Sequence, residues 1–536
     1  MNKCYLQGLV FMMICGFLLP ARSQTATTES TAFHPFLNST SALTDDTQNP
    51  AEEGGGSPFG ERADRFFALI PYVGVMPAPD LPEGRHWDAY PVVTNSSDSN
   101  LFVTFIALDL KGQVMASLQH KLAGSASVAQ TIPQLFPQFG PQQLGQLQSV
   151  LVEASGLFTA AVFYQTPDNL AAINLDVVPQ YRDVFASSET AVFLTRDFNW
   201  WHGFSHFFNQ PDSQAVWHFD GPTGSLRGDV AIGAENNQTD YLFQSLGAIN
   251  DSFPQWAILS GQPRLSLQLV ANTPLGSAAT VVPLLRENDF QKTLFVPIGG
   301  GGFDWSEFTL ANVSTDPANL QAQWITGAEN PAPAGFSLDP QASVVGSFDA
   351  EQSFGTLAFE DGAADGGWLK ITADQYLAGV LWKGDAAGSH VDSIPLMSNF
   401  DSGARLIGLL PCLTNEFLDG PPPERFTSVQ LLNLGLAAEI TLTHYDNEGN
   451  IIDSVVMGPL ERDAAADFDV AQLLGYAPQC GMLEFEAAGK GRLIGAMTTF
   501  SMSETGEPRS GMLKFIPVKR PIRTQKPTPR RTNTRG

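Results

Sequence analysis

The chain is poor in cysteine and in basic residues, and after its start it has no long apolar run. Its 536 residues include 4 cysteines, and 29 basic residues stand against 55 acidic ones, so the net charge is -26. A strongly acidic protein lacks the basic footprint that phosphates require, so nucleic acid is not an expected partner. No stretch after the start approaches the roughly 20 apolar residues of a membrane-spanning helix, so we expect no transmembrane segment in the mature protein.

Recognisable catalytic motifs are also missing from the sequence. There is no GxSxG or SxxK nucleophile motif and no HExxH zinc motif, and the glycines at 299–302 are not followed by a phosphate-loop lysine. Acidic residues are plentiful, but no pair stands out as the two carboxylates of a glycosidase. The sequence therefore favours a protein without enzymatic activity, and it predicts no cofactor and no metal.

Both ends of the chain differ in composition from its body. Residues 1–23 predict a secretory signal peptide, with Lys3 before an apolar stretch and Ala21 and Ser23 near the cleavage site. Cys15 leaves a lipoprotein as an alternative, although Met13 and Ile14 are poor predecessors for a lipid-modified cysteine. Residues 24–62 are rich in Thr, Ser, Gly and acid, which predicts a disordered spacer, and 519–536 form a basic, proline-containing tail that could touch an anionic surface. We expect a secreted or cell-surface protein.

Between these ends, one pattern occurs four times, with a period of about 110 residues. An apolar run that usually ends in proline opens each unit, and a second such run closes it. The opening runs include Leu69-Ile70-Pro71 and Phe295-Val296-Pro297, and the closing runs include Val177-Val178-Pro179 and Phe515-Ile516-Pro517. We place the units at 63–180, 181–288, 289–400 and 401–518.

Within each unit, short alternating strands and frequent turn signals predict a β-sandwich. Leu101–Leu108 and Ile440–Tyr445 are strands, each followed by a short hairpin that runs from an Asp to a Gly. Helices are expected only at 132–139 and 470–474. A strand also reaches an asparagine in each unit, and these residues could bond their own backbone in a turn: Asn95, Asn209, Asn312 and Asn433. The sequence thus predicts an all-β chain of four sandwiches, with a closed four-bladed propeller as the alternative arrangement.

This layout resembles the tandem immunoglobulin-like repeats of uncharacterised bacterial secreted and surface proteins. The resemblance covers 66–518 and rests on strand pattern and repeat length. It implies display, adhesion or spacing as the function.

The second unit departs most from the others and holds the predicted ligand-binding patch. The segment from Trp200 to Phe208 should be a strand, and we expect Trp217 and His218 on its hairpin partner. Neighbouring strand residues face opposite sides, so one of Trp200 and Trp201 should lie on an outer face, where it could stack on a sugar or pack on another unit. The predicted contact residues are Trp200, Trp201, His202, His206 and Trp217. A metal site at the histidines and an integrin-type role for Arg227-Gly228-Asp229 are the other possibilities, and both are supported by a short pattern alone.

Cys412 and Cys480 remain after removal of the signal peptide. In an exported protein they are expected to form a disulfide. The alternative is a pair of buried free thiols.

These features favour a non-enzymatic display, adhesion or binding protein whose units form a semi-rigid rod and whose partner is a protein or a carbohydrate. A secreted carbohydrate-active enzyme with a site between units is one alternative. A structural subunit of an extracellular or envelope assembly is the other.

Overall fold

The structure is a computed structural model that describes most of the chain between 65 and 518. The described residues are 65–70, 73, 88–109, 113–165, 170–179, 190–194, 201–208, 215–218, 231–232, 238–241, 256–260, 265–272, 279–283, 285–286, 289–298, 303, 305–325, 334–340, 342–347, 357–358, 367–385, 391–412, 427–478, 480–502 and 508–518. Within 190–282 the description is of the backbone, together with the side chains of Val192 and Thr280.

The first segment of the fold contains two antiparallel sheets. Its elements are β1 (Phe66–Ile70), β2 (Asp88–Thr94), β3 (Leu101–Asp109), β4 (Val114–Leu122), β5 (Ser127–Ala129), α1 (Ile132–Leu135), α2 (Pro141–Leu144), β6 (Leu147–Ala154), β7 (Thr159–Gln165) and β8 (Leu170–Asn174). The strand orders are β1-β6-β3-β4 and β5-β2-β7-β8. Alternate side chains such as Phe105 of β3 and Val162 of β7 meet in one buried core. The predicted helix at 132–139 is confirmed over Ile132–Leu135, where Thr131 caps its first turn.

The second segment repeats both strand orders. Its strands are β9 (Thr190–Leu194), β10 (Trp201–Phe208), β11 (Ala215–His218), β12 (Ala231–Ile232), β13 (Gln238–Tyr241), β14 (Trp256–Ser260), β15 (Leu265–Asn272), β16 (Ala279–Val282) and β17 (Leu285–Arg286). They form the sheets β12-β11-β14-β9-β17 and β13-β10-β15-β16. The added strand β17 pairs with β9, where the first segment has a single bridge between Phe67 and Val178.

In the third segment the two sheets are joined by one long strand. The elements are β18 (Gln291–Ile298), β19 (Trp305–Asn312), β20 (Ala318–Ile325), β21 (Ala334–Leu338), β22 (Ser343–Ser347), β23 (Leu357–Ala358), β24 (Gly367–Gly384), β25 (Val391–Pro395), β26 (Met397–Ser398) and a 3-10 turn at Asn399–Asp401. The first half of β24 pairs with β18 and β20, and its second half pairs with β19 and β25. The sequence predicts two separate strands here, at 368–372 and 377–380, and that expectation is wrong. The fourth segment turns at Gly489 with φ +67°, whereas no glycine lies between Ala373 and Leu377 to support such a turn.

The fourth segment has the same strand orders as the second, including one added strand at the edge of the larger sheet. Its elements are β27 (Arg405–Leu410), β28 (Thr427–Asn433), β29 (Ala438–Tyr445), β30 (Ile451–Leu460), β31 (Ala465–Asp469), α3 (Val470–Leu474), β32 (Gly481–Ala487), β33 (Leu493–Met502), β34 (Pro508–Lys514) and β35 (Ile516–Pro517). The sheets are β30-β29-β32-β27-β35 and β31-β28-β33-β34. The described residues thus form a repeat-like, all-β fold with a few short helices, as the sequence predicts.

The predicted turn asparagines form the same hydrogen-bond pattern in three segments. Asn95 Oδ1 accepts from Ser97 N at 3.0 Å, Asn312 Oδ1 from Ser314 N at 3.0 Å, and Asn433 Oδ1 from Gly435 N at 2.9 Å. Each Nδ2 donates to carbonyl oxygens on both sides of the turn, and all three side chains are fully buried. Each asparagine ends a strand whose successor joins the opposite sheet, so it stabilises the crossing between sheets. Asn209 lies outside the described residues.

The two predicted hairpins are confirmed. Asp109 Oδ1 accepts from Gln113 N at 2.8 Å, and Asp446 Oδ1 accepts from Asn450 N at the same distance. The carboxylate at the turn entry therefore satisfies the backbone donor at the turn exit.

The four segments pack into a closed ring, and the predicted rod is wrong. The last long strand of each segment meets its neighbours at the centre, because β8 contacts β34, β34 contacts β25, β25 contacts β16, and β16 contacts β8. One apolar core joins Tyr90 and Phe163 of the first segment to Ile407 and Leu409 of the fourth. A second core joins Leu369 of the third segment to residues of the fourth, including Leu432, Ile494 and Met512. Apolar residues on the outer faces of the sheets require this burial, whereas a rod would leave them in water.

Candidate functional site

The residues of the predicted ligand-binding patch lie on different sheets. Trp201, His202 and His206 belong to β10, which pairs with β13 and β15. Trp217 belongs to β11, which pairs with β12 and β14 in the other sheet. The expectation that Trp217 and His218 lie on the hairpin partner of β10 is therefore wrong. Trp200 lies outside the described residues, as do the side chains of the other four.

The sequence contained a signal for this crossing. Asn209 directly follows β10, and Asn95, Asn312 and Asn433 hold the corresponding position in the other three segments. After each of those three asparagines the chain crosses to the opposite sheet. A position defined by the repeat is thus a better guide to strand pairing than distance along the chain.

Within the described residues, no group of three or more His, Cys, Asp or Glu side chains is placed to hold a metal ion. Arg227-Gly228-Asp229 and the glycines at 299–302 lie outside the description.

A polar cluster joins the third and fourth segments, and we call it the Lys383 cluster: Lys383 of β24 and Gln430 of β28, which are buried, and Asp467 of β31, which is exposed. Lys383 Nζ donates to Gln430 Oε1 at 2.5 Å. Gln430 Nε2 donates to Asp467 Oδ2 at 3.3 Å and to Ile298 O at 3.2 Å. Gln430 and Asp467 are directly opposite each other on neighbouring strands.

The surroundings of this cluster favour the neutral forms of its ionisable groups. Burial lowers the pKa of Lys383 to about 7, against the opposing effect of Asp467 and Asp392. Burial also raises the pKa of Asp467. The ring of Phe303 lies 5.8 Å from Lys383 Nζ and itself packs on Phe500. The amine is thus held beside an amide in an apolar setting.

Asp392 adds a second link across the same boundary. It lies directly opposite Lys383 in the β24–β25 pair, and its Oδ2 accepts from Ser510 Oγ of the fourth segment at 2.5 Å. Its side chain is fully buried, and Oδ1 has no hydrogen-bond partner among the described residues. Burial raises the pKa of Asp392 to about 7, although the hydrogen bonds and Lys383 oppose the change.

Another charged group, the Lys514 cluster, gathers residues from the ends of all four segments: Asp176, Arg286, Asp289, Asp401 and Lys514. Lys514 Nζ lies 3.0 Å from Asp401 Oδ1, and Arg286 lies 3.0 Å from Asp176 Oδ2. Burial raises the pKa of Asp289 to about 6. Burial opposes protonation of Lys514, but Asp401 and Asp289 outweigh it and raise its pKa. The Arg286–Asp176 pair thus joins the first and second segments, and Asp289 of the third segment lies near Lys514 of the fourth.

The structure bonds Cys412 to Cys480, whose Cα atoms are 4.5 Å apart. The bridge lies at the boundary of the first and fourth segments, because Tyr90 OH donates to Cys412 O at 2.6 Å and Asn447 O accepts from Ser127 N at 2.9 Å. The turn that carries Asn447 also approaches the first segment so closely that a Cβ on Gly449 would collide with Gly124 O. The disulfide therefore fixes the part of the fourth segment on which the first one rests.

In contrast to these buried groups, the edge strand β30 exposes apolar side chains. Ile451, Ile452 and Val456 are 62%, 53% and 58% exposed, and no described strand pairs with the outer side of β30. The corresponding edge strand β4 instead exposes polar residues, with Gln119 at the position of Val456. An unpaired apolar edge strand is a template for an added strand.

A shallow groove of about 670 Å³ lies on the outer face of the third segment, lined by residues that include Asn319, Gln321, Ser337, Thr372 and Asp374. Asn319 donates through both its backbone N and its Nδ2 to the carboxylate of Asp374, and these bonds lower the pKa of Asp374. In the first segment, Phe102 N likewise donates to Ser155 Oγ, so this bond to the backbone is a feature that the two segments share. Tyr376 beside it is half-exposed.

Comparisons with known proteins add little to this description. No protein-family model matches the chain, and no curated protein matches it. Among solved structures, a tetra-tandem repeat from the extending region of a large adhesion protein covers 81% of this chain and 95% of its own, with 10% identity and a TM-score of 0.08. A glycoside hydrolase of family 32 from Bifidobacterium adolescentis covers 84% and 96%, with 11% identity and a TM-score of 0.13. TM-scores this low carry no argument about fold or function. Within the described residues, no helix has the length and apolar character needed to cross a bilayer.

Proposed function

We propose that the protein is a secreted or cell-surface scaffold, without enzymatic activity of its own, that presents binding surfaces to a protein or carbohydrate partner. In this proposal the ring consists of four immunoglobulin-like β-sandwiches at 63–180, 181–288, 289–400 and 401–518. They follow a signal peptide and a spacer, and the tail at 519–536 makes an additional contact with an anionic surface.

The exposed apolar row on β30 carries the proposal. The described charged clusters lie at the boundaries between segments, where they join the ring, while Ile452 and Val456 point outward from an unpaired strand. A protein partner could add an extended segment to this edge, with main-chain hydrogen bonds for affinity and these side chains for selectivity. The second proposed contact consists of the residues of the second segment that lie on or next to β10: Trp200, Trp201, His202 and His206.

The test is a binding screen of the mature protein against purified extracellular-matrix proteins and a glycan array. We expect Ile452→Lys with Val456→Lys to abolish binding of an extended protein ligand, because charge on an edge strand prevents strand addition. The matched control is Ser117→Lys with Gln119→Lys on β4. A parallel variant, Trp200→Ala with Trp201→Ala, tests the second contact for glycans. Binding that survives both variants, or no binding to any member of either panel, would contradict the proposal.

The same edge strand favours a second candidate, a subunit of an extracellular assembly in which β30 pairs with another chain. Light scattering on the wild type and the β30 variant distinguishes the two. A larger particle that dissociates only in the β30 variant supports assembly, and a monomer in both supports partner binding.

A further inference from the structure

The Lys383 cluster places a nucleophile, an electrophile and a proton carrier in contact. Lys383 Nζ lies 2.5 Å from the carboxamide oxygen of Gln430, and the carboxamide nitrogen donates to Asp467 at 3.3 Å. These three residues come from three strands and two segments, and each strand is held by its own ladder of hydrogen bonds. The amine and the carboxamide are therefore held side by side before any reaction, which lowers the entropic cost of a step between them.

We propose that Lys383 and Gln430 form an intramolecular amide cross-link that joins the third and fourth segments covalently. The Nζ atom attacks Cδ of Gln430, the Nζ–Cδ bond forms, and the Cδ–Nε2 bond breaks. Nε2 leaves as ammonia, and Asp467 transfers the proton that Nζ loses to the leaving nitrogen. One amine and one primary amide thus give one secondary amide and one ammonia, with no oxidant, reductant or other co-reactant.

The setting supplies what this exchange requires. An amine attacks only in its neutral form, and burial brings the pKa of Lys383 down to about 7. Burial raises the pKa of Asp467, and a carboxyl with a raised pKa is better able to take up a proton and give it back. Lys383 and Gln430 are both buried and Phe303 packs beside the amine, which limits the access of water to the amide.

The cluster is also placed where a covalent bond would have the largest mechanical effect. Lys383 and Gln430 belong to different segments, and only noncovalent contacts are described between these segments apart from the main chain that connects them. A cross-link would bridge a loop of 47 residues and hold this boundary closed even when the surrounding contacts open.

The test is mass spectrometry on the purified mature wild-type chain. We expect the intact mass, referenced to Lys383→Met, to be lower than composition requires by one ammonia, about 17 Da. Because trypsin does not cut after an acylated lysine, Lys383 should appear as a missed cleavage within a peptide linked to the one that contains Gln430.

Two variants assign the roles. Lys383→Met should abolish the mass loss, and Lys292→Met, which removes an exposed lysine on β18, should retain it. Asp467→Asn changes an exposed side chain and should reduce the linked fraction at least tenfold while leaving the circular dichroism spectrum unchanged. The mass of the Asp467→Asn variant tests the proposal even if Lys383→Met fails to fold.

The proposal fails if the wild-type chain has its full mass, or if the ammonia loss maps elsewhere. A loss of water that links Lys383 to Asp392 would also overturn it. None of these outcomes depends on whether the protein binds a partner.

Discussion

Replacement of Asp392 by asparagine should stabilise the protein at alkaline pH and have little effect at acid pH. The carboxyl is fully buried, and burial raises its pKa from 3.8 to about 7. Folding is therefore favoured while the group is protonated: its full contribution is present below about pH 4, declines as the pH rises to about 7, and is lost above that. A pKa change of this size corresponds to about 4 kcal/mol. Asparagine remains neutral throughout and keeps an oxygen to which Ser510 Oγ can donate.

We expect Asp392→Asn to raise the free energy of unfolding at pH 8 by about 2 kcal/mol or more, since the new amide donors offset part of the gain. At pH 4 the change should fall below about 1 kcal/mol. Urea unfolding followed by circular dichroism at the two pH values measures this difference. The control is Asp374→Asn, an exposed carboxylate whose pKa is lowered, so its removal should destabilise at pH 8 instead. A loss of stability in Asp392→Asn that is equal at both pH values would refute the reasoning.

Three further predictions follow from the turns and the disulfide. Cys412→Ser with Cys480→Ser should reduce the free energy of unfolding by about 4 kcal/mol on the chain-entropy model for a separation of 68 residues, and the wild type in a reducing agent should match it in urea. Asn433→Ala should lower the free energy of unfolding by about 2 to 4 kcal/mol, because it leaves buried carbonyls and amides without partners. Thermal unfolding measures this loss, and the exposed turn variant Asn450→Ala should show a much smaller one. Asn95 and Asn312 lie in glycosylation sequons, but their side-chain amides are buried and form hydrogen bonds inside the fold. Glycopeptide mapping of folded protein from a glycosylating host should therefore find both residues unmodified. A glycan on either residue would contradict their burial.

The local features of the fold were predictable because each is specified by a few neighbouring residues. The hairpins at Asp109 and Asp446 and the turns at Asn95, Asn312 and Asn433 follow from side chains that bond their own backbone. The long strand β24 was missed because its distinguishing feature is a missing glycine, and the pattern of its siblings suggested a turn there.

The ring and the candidate sites were harder to predict because their partners are distant in sequence. Ile407 and Leu409 look like ordinary core residues, and nothing in the sequence shows that Tyr90 and Phe163 cover them. Lys383 and Gln430 meet only once the third and fourth segments pack together. The error over Trp217 has a different origin: proximity in sequence suggested a hairpin where the repeat indicates a crossing between sheets.

The contact between the first and fourth segments also sets the order in which the protein can be built. The apolar face formed by Tyr90, Val92 and Phe163 emerges early in synthesis, yet its cover, β27 with β32, comes from the last quarter of the chain. An intermediate that lacks the fourth segment must therefore leave this face in water, where it is prone to aggregation. We expect ring closure to come late in folding, because the contacts between the first and fourth segments join residues far apart in the sequence. A chain truncated before Arg405 would lack the fourth segment, and its first segment would also lose the contacts that cover its apolar face.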